Sequence, residues 1–259
     1  MNAVTTQAMF EKAATTRNAV EVEHVSKHYG KLAVLEDISL TAPSGSVLAI
    51  VGASGCGKST LLNIIAGLVQ ADQGDVRIDG VAGEPTHDTR VVSYMFQEDR
   101  LLPWRTIVAN TEFGLEAGSL NAERRRERAL AALKMTGLEG FEHAYPHELS
   151  GGMRSRVALA RSLVVKPYIL LMDEPFSKLD PQMRSQMHAE LLRIREQLKM
   201  TVVFVTHDVE EAIVLADKVV VLRPRPGRVR DTLTIDLPRP RDPLAAEVAE
   251  TVRRVRALI

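Results

Sequence analysis

Apolar positions mark Val20, Val22 and Val25, and alternation returns from Ile38 to Ala42 before the Pro43-Ser44-Gly45 turn. Both patterns predict short, half-buried strands. Val47 to Val51 is instead an unbroken apolar run, as expected of a strand covered on both faces. It leads into Gly52-Ala53-Ser54-Gly55-Cys56-Gly57-Lys58-Ser59-Thr60, after which Leu61, Leu62, Ile64, Ile65 and Leu68 recur at helical spacing. Gly67 and the stretch from Gln70 to Gly74 close that helix, and Val91 to Phe96 reads as another strand.

A helical pattern follows from about Asn121 to Met135, with Leu130, Leu133 and the alanines on one side. Ser150 is a suitable N-cap for a helix from Gly151 to about Val165, ended by Pro167. Ile169 to Met172 is a buried strand, and Pro181 suits the first turn of a long amphipathic helix. Thr201 to Thr206 reads as strand, Val209 to Ala216 as helix and Val219 to Leu222 as strand. The proline-rich stretch from Pro224 to Pro240, then Leu244 to Ile259, reads as turns, one strand and a final helix.

Alternating strands and helices indicate a mainly parallel α/β sheet. The span 99–164 shows no strand signal and is expected as a helical insertion. Residues 1–19, small and polar, read as a flexible tail. The expected division is therefore a tail at 1–19, an α/β core at 20–98 and 165–240, a helical part at 99–164 and a C-terminal helix at 241–259.

The 259 residues are 45% hydrophobic and 25% charged, which excludes a disordered or collagen-like chain. Lys and Arg balance Asp and Glu at 33 each, so nothing in the net charge points to nucleic acid or an anionic membrane surface. The run Arg124-Arg125-Arg126 with Arg128, interleaved with Glu123 and Glu127, reads as a solvated helix face. Cys56 is the single cysteine, which favours a reducing compartment. No apolar run approaches the roughly 18 residues of a membrane helix, and Met1 to Ala19 lacks the apolar stretch of a signal peptide. The coarse expectation is a cytosolic protein.

The segment from Gly52 to Ser59 has the phosphate-loop spacing of two glycines followed by Lys and Ser. Glycines let backbone N–H groups turn inward around phosphates, and the following helix adds the positive end of its dipole. Lys58 is expected to reach the β and γ phosphates, and Ser59 to offer an oxygen to Mg2+. Asp173-Glu174 ends a buried strand, where a carboxylate pair is unfavourable unless a cation or hydrogen bonds compensate. Alone the pair could be a capped strand end. Beside a phosphate loop, Asp173 is expected to hold Mg2+ through water and Glu174 to orient or deprotonate an attacking water.

Leu149-Ser150-Gly151-Gly152-Met153-Arg154 narrows the reading further. With the phosphate loop, the strand-end carboxylates and His207 in that order, the chain from about Val20 to Arg228 resembles the ATP-binding subunit of an ABC transporter. The resemblance implies a P-loop NTPase (RecA-like) core, an antiparallel β part, a helical signature subdomain and ATP hydrolysis. Ser150 with Gly151 and Gly152 at a helix start can bind an anion. By resemblance it faces the γ-phosphate held by a second copy of the chain, so that two ATP molecules are sandwiched in a two-fold dimer.

The same resemblance gives other residues a role. Tyr29 looks like the aromatic that stacks on adenine, against the plainer reading of a surface tyrosine. Gln97 matches a glutamine that senses Mg2+ and couples the site to the permease, against an ordinary loop glutamine. His207 matches the histidine that contacts the γ-phosphate, against a structural histidine. Asp180 matches the aspartate of the segment joining the two sites. Met153, Ser155 and Lys178 depart from the usual residues at their positions. Cys56 has two readings, a thiol activated by the helix N-terminus or a small structural loop residue.

Phe96-Gln97-Glu98-Asp99-Arg100-Leu101-Leu102-Pro103-Trp104-Arg105-Thr106 and Arg225-Pro226-Gly227-Arg228 are similar to importers of the nitrate, sulfonate and taurine group. Cyanate, phthalate and pyrimidine-precursor systems share much of this. The resemblance implies two transmembrane permease subunits, a periplasmic or lipid-anchored solute-binding protein, and a peripheral place on the cytoplasmic face of the inner membrane. Trp104 either helps form a groove for a permease helix or is a core tryptophan. An ABC-type ATPase acting on DNA or ribosomes is the rival class. The spacing of about 90 residues from Lys58 to Leu149 and the single cassette both disfavour it.

Overall fold

A computed structural model describes residues 17–78, 81–82 and 92–259. Residues 1–16 of the expected tail, and Val91 of the expected strand, lie outside the described residues. In chain order come β1 (Asn18–Tyr29), β2 (Leu32–Pro43), β3 (Val47–Gly52), α1 (Lys58–Ile65), β4 (Gln73–Ile78), β5 (Val81–Ala82) and β6 (Val92–Met95). Then follow α2 (Ile107–Glu112), α3 (Ala122–Met135), α4 (Gly151–Leu163), β7 (Ile169–Asp173) and α5 (Pro181–Leu198). The chain finishes with β8 (Thr201–Thr206), α6 (Val209–Leu215), β9 (Lys218–Arg223), β10 (Arg228–Thr234) and α7 (Ala246–Arg256).

The strands form two sheets. One is antiparallel in the order β2-β1-β4-β5; the other runs β10-β9-β3-β8-β7-β6. In the second sheet β3, β6, β7 and β8 are parallel to their neighbours, with β10 antiparallel to β9. Every residue of β3 and β8 is buried, which is why their sequences are apolar throughout rather than alternating. One core joins the two sheets across α1, through Val20, Ile38, Ile50, Leu61, Leu62 and Val205. The opposite face packs under α5, α6 and α7, and a separate cluster around Ile107, Leu133 and Val157 holds the helical region together. Each fully buried side chain of this kind contributes about 1.5–3 kcal/mol relative to exposure.

Several elements differ from the sequence reading. Strand β1 starts at Asn18, so Asn18 and Ala19 belong to a sheet and not to a tail. Strands β1 and β2 are much longer than their alternation suggested, because His24 and Asp37 adopt positive φ and the register shifts between Val22 and Val25. Such bulges reset which side chains face inward. Strand β4 begins at Gln73, inside the stretch from Gln70 to Gly74 expected to close the helix; its first three residues are exposed, and only Val76 and Ile78 are buried. Leu130 is 39% exposed, and the buried side of α3 is Ala129, Ala132 and Leu133. The last helix spans Ala246–Arg256, shorter than the expected 241–259. Arg241 is instead buried in the loop before it, donating to the carbonyls of Ile213, Ala216, Ile235 and Leu237.

The parallel register brings the chemistry together. Val51 pairs with Thr206 and Asp173 with Val205, so the chain leaves β3, β7 and β8 at one edge of the sheet. In parallel α/β sheets that carboxyl edge is where ligands bind.

Candidate functional site

The loop from Gly52 to Gly57 leaves β3 and ends at the N-terminus of α1, where Gly57 holds a left-handed φ of 94°. A side chain there would be strained, which accounts for glycine before Lys58. Lys58 is 6% exposed, and its ammonium donates to the carbonyls of Gly52 at 2.8 Å and Ala53 at 3.1 Å. A cation held mainly by carbonyl dipoles, with the Cys56 sulfur at 4.0 Å, is a positive centre at the base of the loop. The cavity above it, of about 570 Å³, is lined by Val34, Ser54, Gly55, Gly57, Lys58, Ser59, Thr60, Gln97, Glu174 and His207. That volume lies within the roughly 300–1,000 Å³ usual for small-molecule sites.

Opposite the loop, Ser59 donates its hydroxyl to Asp173 Oδ1 at 3.0 Å. Burial raises the Asp173 carboxyl above its ordinary pKa; the Ser59 hydrogen bond opposes the shift, and the nearby Glu174 charge adds to it. Tyr94, on the adjacent strand β6, has a buried hydroxyl near Asp173, and burial followed by the charge of Asp173 pushes its pKa up. Tyr94 was not singled out from the sequence, where a tyrosine in a short apolar strand carries no distinguishing signal.

Glu174 adopts φ 45°, a left-handed conformation that costs on the order of 1 kcal/mol or more in a non-glycine residue. Its N–H is held by the Val205 carbonyl at 3.0 Å, and its own carbonyl accepts from the Ser177 hydroxyl at 3.0 Å. The carboxylate is thereby turned into the cavity. There Gln97 Nε2 donates to Oε2 at 3.0 Å, and His207 Nδ1 stands 3.2 Å from Oε1. Glu174, Gln97 and His207, expected from three distant parts of the chain, meet around one carboxylate.

A divalent cation fits this donor set. Ser59, Asp173 and Gln97 offer oxygens, and Asp173 is a partly buried carboxylate whose charge is disfavoured in its absence. Mg2+ usually takes one or two protein oxygens and completes its shell with phosphate and water. It does not need a closed cluster of protein ligands, and among the described residues there is none of three or more His, Cys, Asp or Glu side chains.

Other expected residues stand outside the cavity lining. Tyr29 is 51% exposed at the end of β1, with the Lys27 ammonium 5.6 Å from its ring centre. Ser150 is exposed and caps α4 by accepting from Met153 N at 3.2 Å, with Gly151 and Gly152 in the first turn. Asp180 is likewise exposed and caps α5 by accepting from Met183 N at 2.9 Å. Cys56 is fully buried, and burial raises its pKa, with Lys58 only partly offsetting this; the activated-thiol reading is therefore corrected to a structural one. Trp104 is 72% exposed, which removes its reading as a core residue. Within the arginine run, Arg124 pairs with Glu127 at 2.9 Å and Arg126 with Glu112 at 3.3 Å. A second cavity of about 460 Å³ shares His207 and lies against Arg184, Glu211 and Arg256.

Residues 35–177 match the family described as ABC transporter. The chain is 47% identical to an uncharacterized ABC transporter ATP-binding protein of Methanocaldococcus jannaschii over 242 residues, covering 91% of this chain and 89% of that protein. It is 43% identical to a taurine import ATP-binding protein of Escherichia coli over 220 residues, covering 85% of this chain and 86% of the relative. A bacterial ABC transporter cassette solved as a dimer superposes with a TM-score of 0.77 at 33% identity, covering 84% of this chain and 99% of the cassette. That same cassette has also been solved as a post-hydrolysis dimer bound to ADP and Pi.

Proposed function

The chain belongs to the ABC transporter family as an ATP-binding subunit and ATPase, and from that premise we propose that it energises the import of a small sulfonate such as taurine. The observation that carries the solute class is the 43% identity to a taurine import subunit over 85% of this chain. No helix among the described residues is long and apolar enough to cross a membrane. In the proposed assembly, as for an import subunit of this family, the chain works from the cytoplasmic face of the inner membrane, beneath two permease subunits, with a periplasmic or lipid-anchored binding protein delivering the solute.

Each residue has a role that follows from its position. The loop from Gly52 to Thr60 wraps the phosphates with backbone N–H groups, and Lys58 supplies the fixed positive charge. Tyr29, exposed at the end of β1, offers an aromatic face to adenine. Ser59, Asp173 and Gln97 would hold Mg2+, which when bound neutralises phosphate charge. Glu174 accepts the proton of an attacking water, and His207 and Gln97 fix the direction of its carboxylate.

Ser150, Gly151 and Gly152 form an anion-binding helix start and do not line the cavity over the chain's own phosphate loop. We assign it to the γ-phosphate on a second copy, with Asp180 at the junction between the two sites. Closure of that sandwich on two ATP molecules, and its release after hydrolysis, drives the permeases.

The test is uptake of labelled taurine by a strain deleted for this gene. Uptake lost in the deletion and restored by the intact gene, with growth lost on taurine but kept on sulfate as sole sulfur source, is the expected result. Unchanged uptake and growth would overturn the solute and direct the search to nitrate, cyanate or an organic precursor.

A further inference from the structure

The turn between β9 and β10 carries Arg225-Pro226-Gly227-Arg228, a motif to which the reading above gives no role. Gly227 is buried, and its backbone is bonded on both sides to β2: it donates to Val34 O at 2.9 Å and accepts from Glu36 N at 2.9 Å. The next residue, Arg228, forms an ion pair with Glu36. A Cβ on Gly227 would lie 2.3 Å from the carbonyl oxygen of Cys56, and 3.0 Å from both Leu35 Cδ2 and Val34 O. A Cβ on Gly57 would lie 2.5 Å from the same Leu35 methyl. The turn, β2 and the phosphate loop thus meet with no room for one further carbon.

We propose that Gly227 is a nucleotide-positioning residue that acts through the Cys56–Gly57 peptide of the phosphate loop; the proposal rests on that loop holding ATP. A trans peptide is planar, and its C=O and N–H point in opposite directions. The Cys56 carbonyl is packed outward against Gly227, so the Gly57 N–H on the other edge of the same peptide is directed away from Gly227. Gly57 itself lines the cavity. Any side chain at position 227 pushes the carbonyl, turns the peptide and swings that N–H away from a bound phosphate.

The contact also sets a distance. Val34, Leu35 and Glu36 lie on β2, which is hairpinned to β1 and hence to Tyr29 at its end. Gly227 ties this antiparallel sheet to the phosphate loop of the other sheet, so one turn fixes the adenine end of the site relative to the phosphate end. Glu174 and His207 leave β7 and β8, strands that pair with neither β2 nor the strands flanking the turn, so the chemical step is moved less than binding.

The experiment compares the purified full chain with Gly227→Ala and Arg228→Met by ATP turnover, ADP binding and nucleotide-free melting. For Gly227→Ala the KM for ATP and the Kd for ADP should rise about tenfold or more, with kcat lowered less than about threefold. For Arg228→Met, which loosens the turn without adding atoms against the loop, KM should rise about threefold. A general loss of folding moves the melting temperature and the active fraction but not this split between KM and kcat. Unchanged KM and Kd in Gly227→Ala, or a fall in kcat alone, would overturn the proposal. Should the alanine variant fail to fold, an unchanged KM in Arg228→Met overturns it by itself. Failure of the wild-type chain to bind ADP would strike the nucleotide reading instead.

Discussion

Ser59 donates its hydroxyl to Asp173 Oδ1 at 3.0 Å, tying the first turn of α1 to the end of β7 across 114 residues of sequence. Burial holds the Asp173 carboxyl above the usual carboxylate range, and the Ser59 bond only partly offsets it. The ionised carboxylate is thus a source of instability in the nucleotide-free protein and a source of affinity once a cation arrives.

Asp173→Asn removes that charge and keeps an acceptor for Ser59. At neutral pH and without nucleotide the variant should melt above wild type; each 1 kcal/mol gained would show as about 2–4 °C. A carboxyl with a raised folded-state pKa destabilises fully above that pKa, and the effect fades as pH falls toward the unfolded value. The difference between variant and wild type should therefore shrink on acidification through the range just above the ordinary Asp pKa. Mg2+-dependent turnover should drop by about 10–100-fold. Calorimetry that finds the variant less stable at neutral pH would contradict the account.

Cys56 should be slow to alkylate. Its thiol is buried beneath the phosphate loop, and its pKa is raised by that burial, so little thiolate is present or reachable near neutral pH. Mass spectrometry after iodoacetamide treatment should show labelling at least about tenfold slower than for a free thiol. Saturating ADP should make no difference to it. Rapid labelling that nucleotide blocks would restore the activated-thiol reading.

Trp104 sits on a turn whose shape is set by Asn110. That fully buried side chain accepts from Leu102 N at 2.8 Å and donates to the carbonyls of Leu102, Arg105 and Thr106 at 3.0–3.1 Å. Trp104→Ala should leave stability within about 0.5 kcal/mol, as for other exposed side chains. ATPase activity of the isolated chain should persist while solute uptake in cells is lost. Loss of both activities, or uptake that stays unchanged, would overturn the permease-contact reading.

The phosphate loop and Glu174 were legible partly because they follow buried strands that appear as unbroken apolar runs, whereas Gln97 and His207 took their roles from the family resemblance. The parallel pairing of β3, β8 and β7 places the ends of these strands at one edge. Elements with polar or irregular patterns were not legible. The exposed start of β4 hid a strand, and the bulges near His24 and Asp37 broke the alternation of β1 and β2. Exposure was the other blind spot. Periodicity put Leu130 on the buried side of its helix and left Trp104 open between core and surface, since neither residue type states its neighbours. The contact of Gly227 with the Cys56 carbonyl joins residues distant in sequence, and only the packed structure brings it out.

We propose that Glu174 serves hydrolysis and that two copies of the chain close on ATP. Size-exclusion chromatography of Glu174→Gln with and without ATP tests it most directly. The expected result is a dimer only with ATP, a monomer with ADP, and turnover lowered by about 10²–10⁴-fold with ATP still bound. A monomer at saturating ATP, or turnover at the wild-type rate, would contradict it.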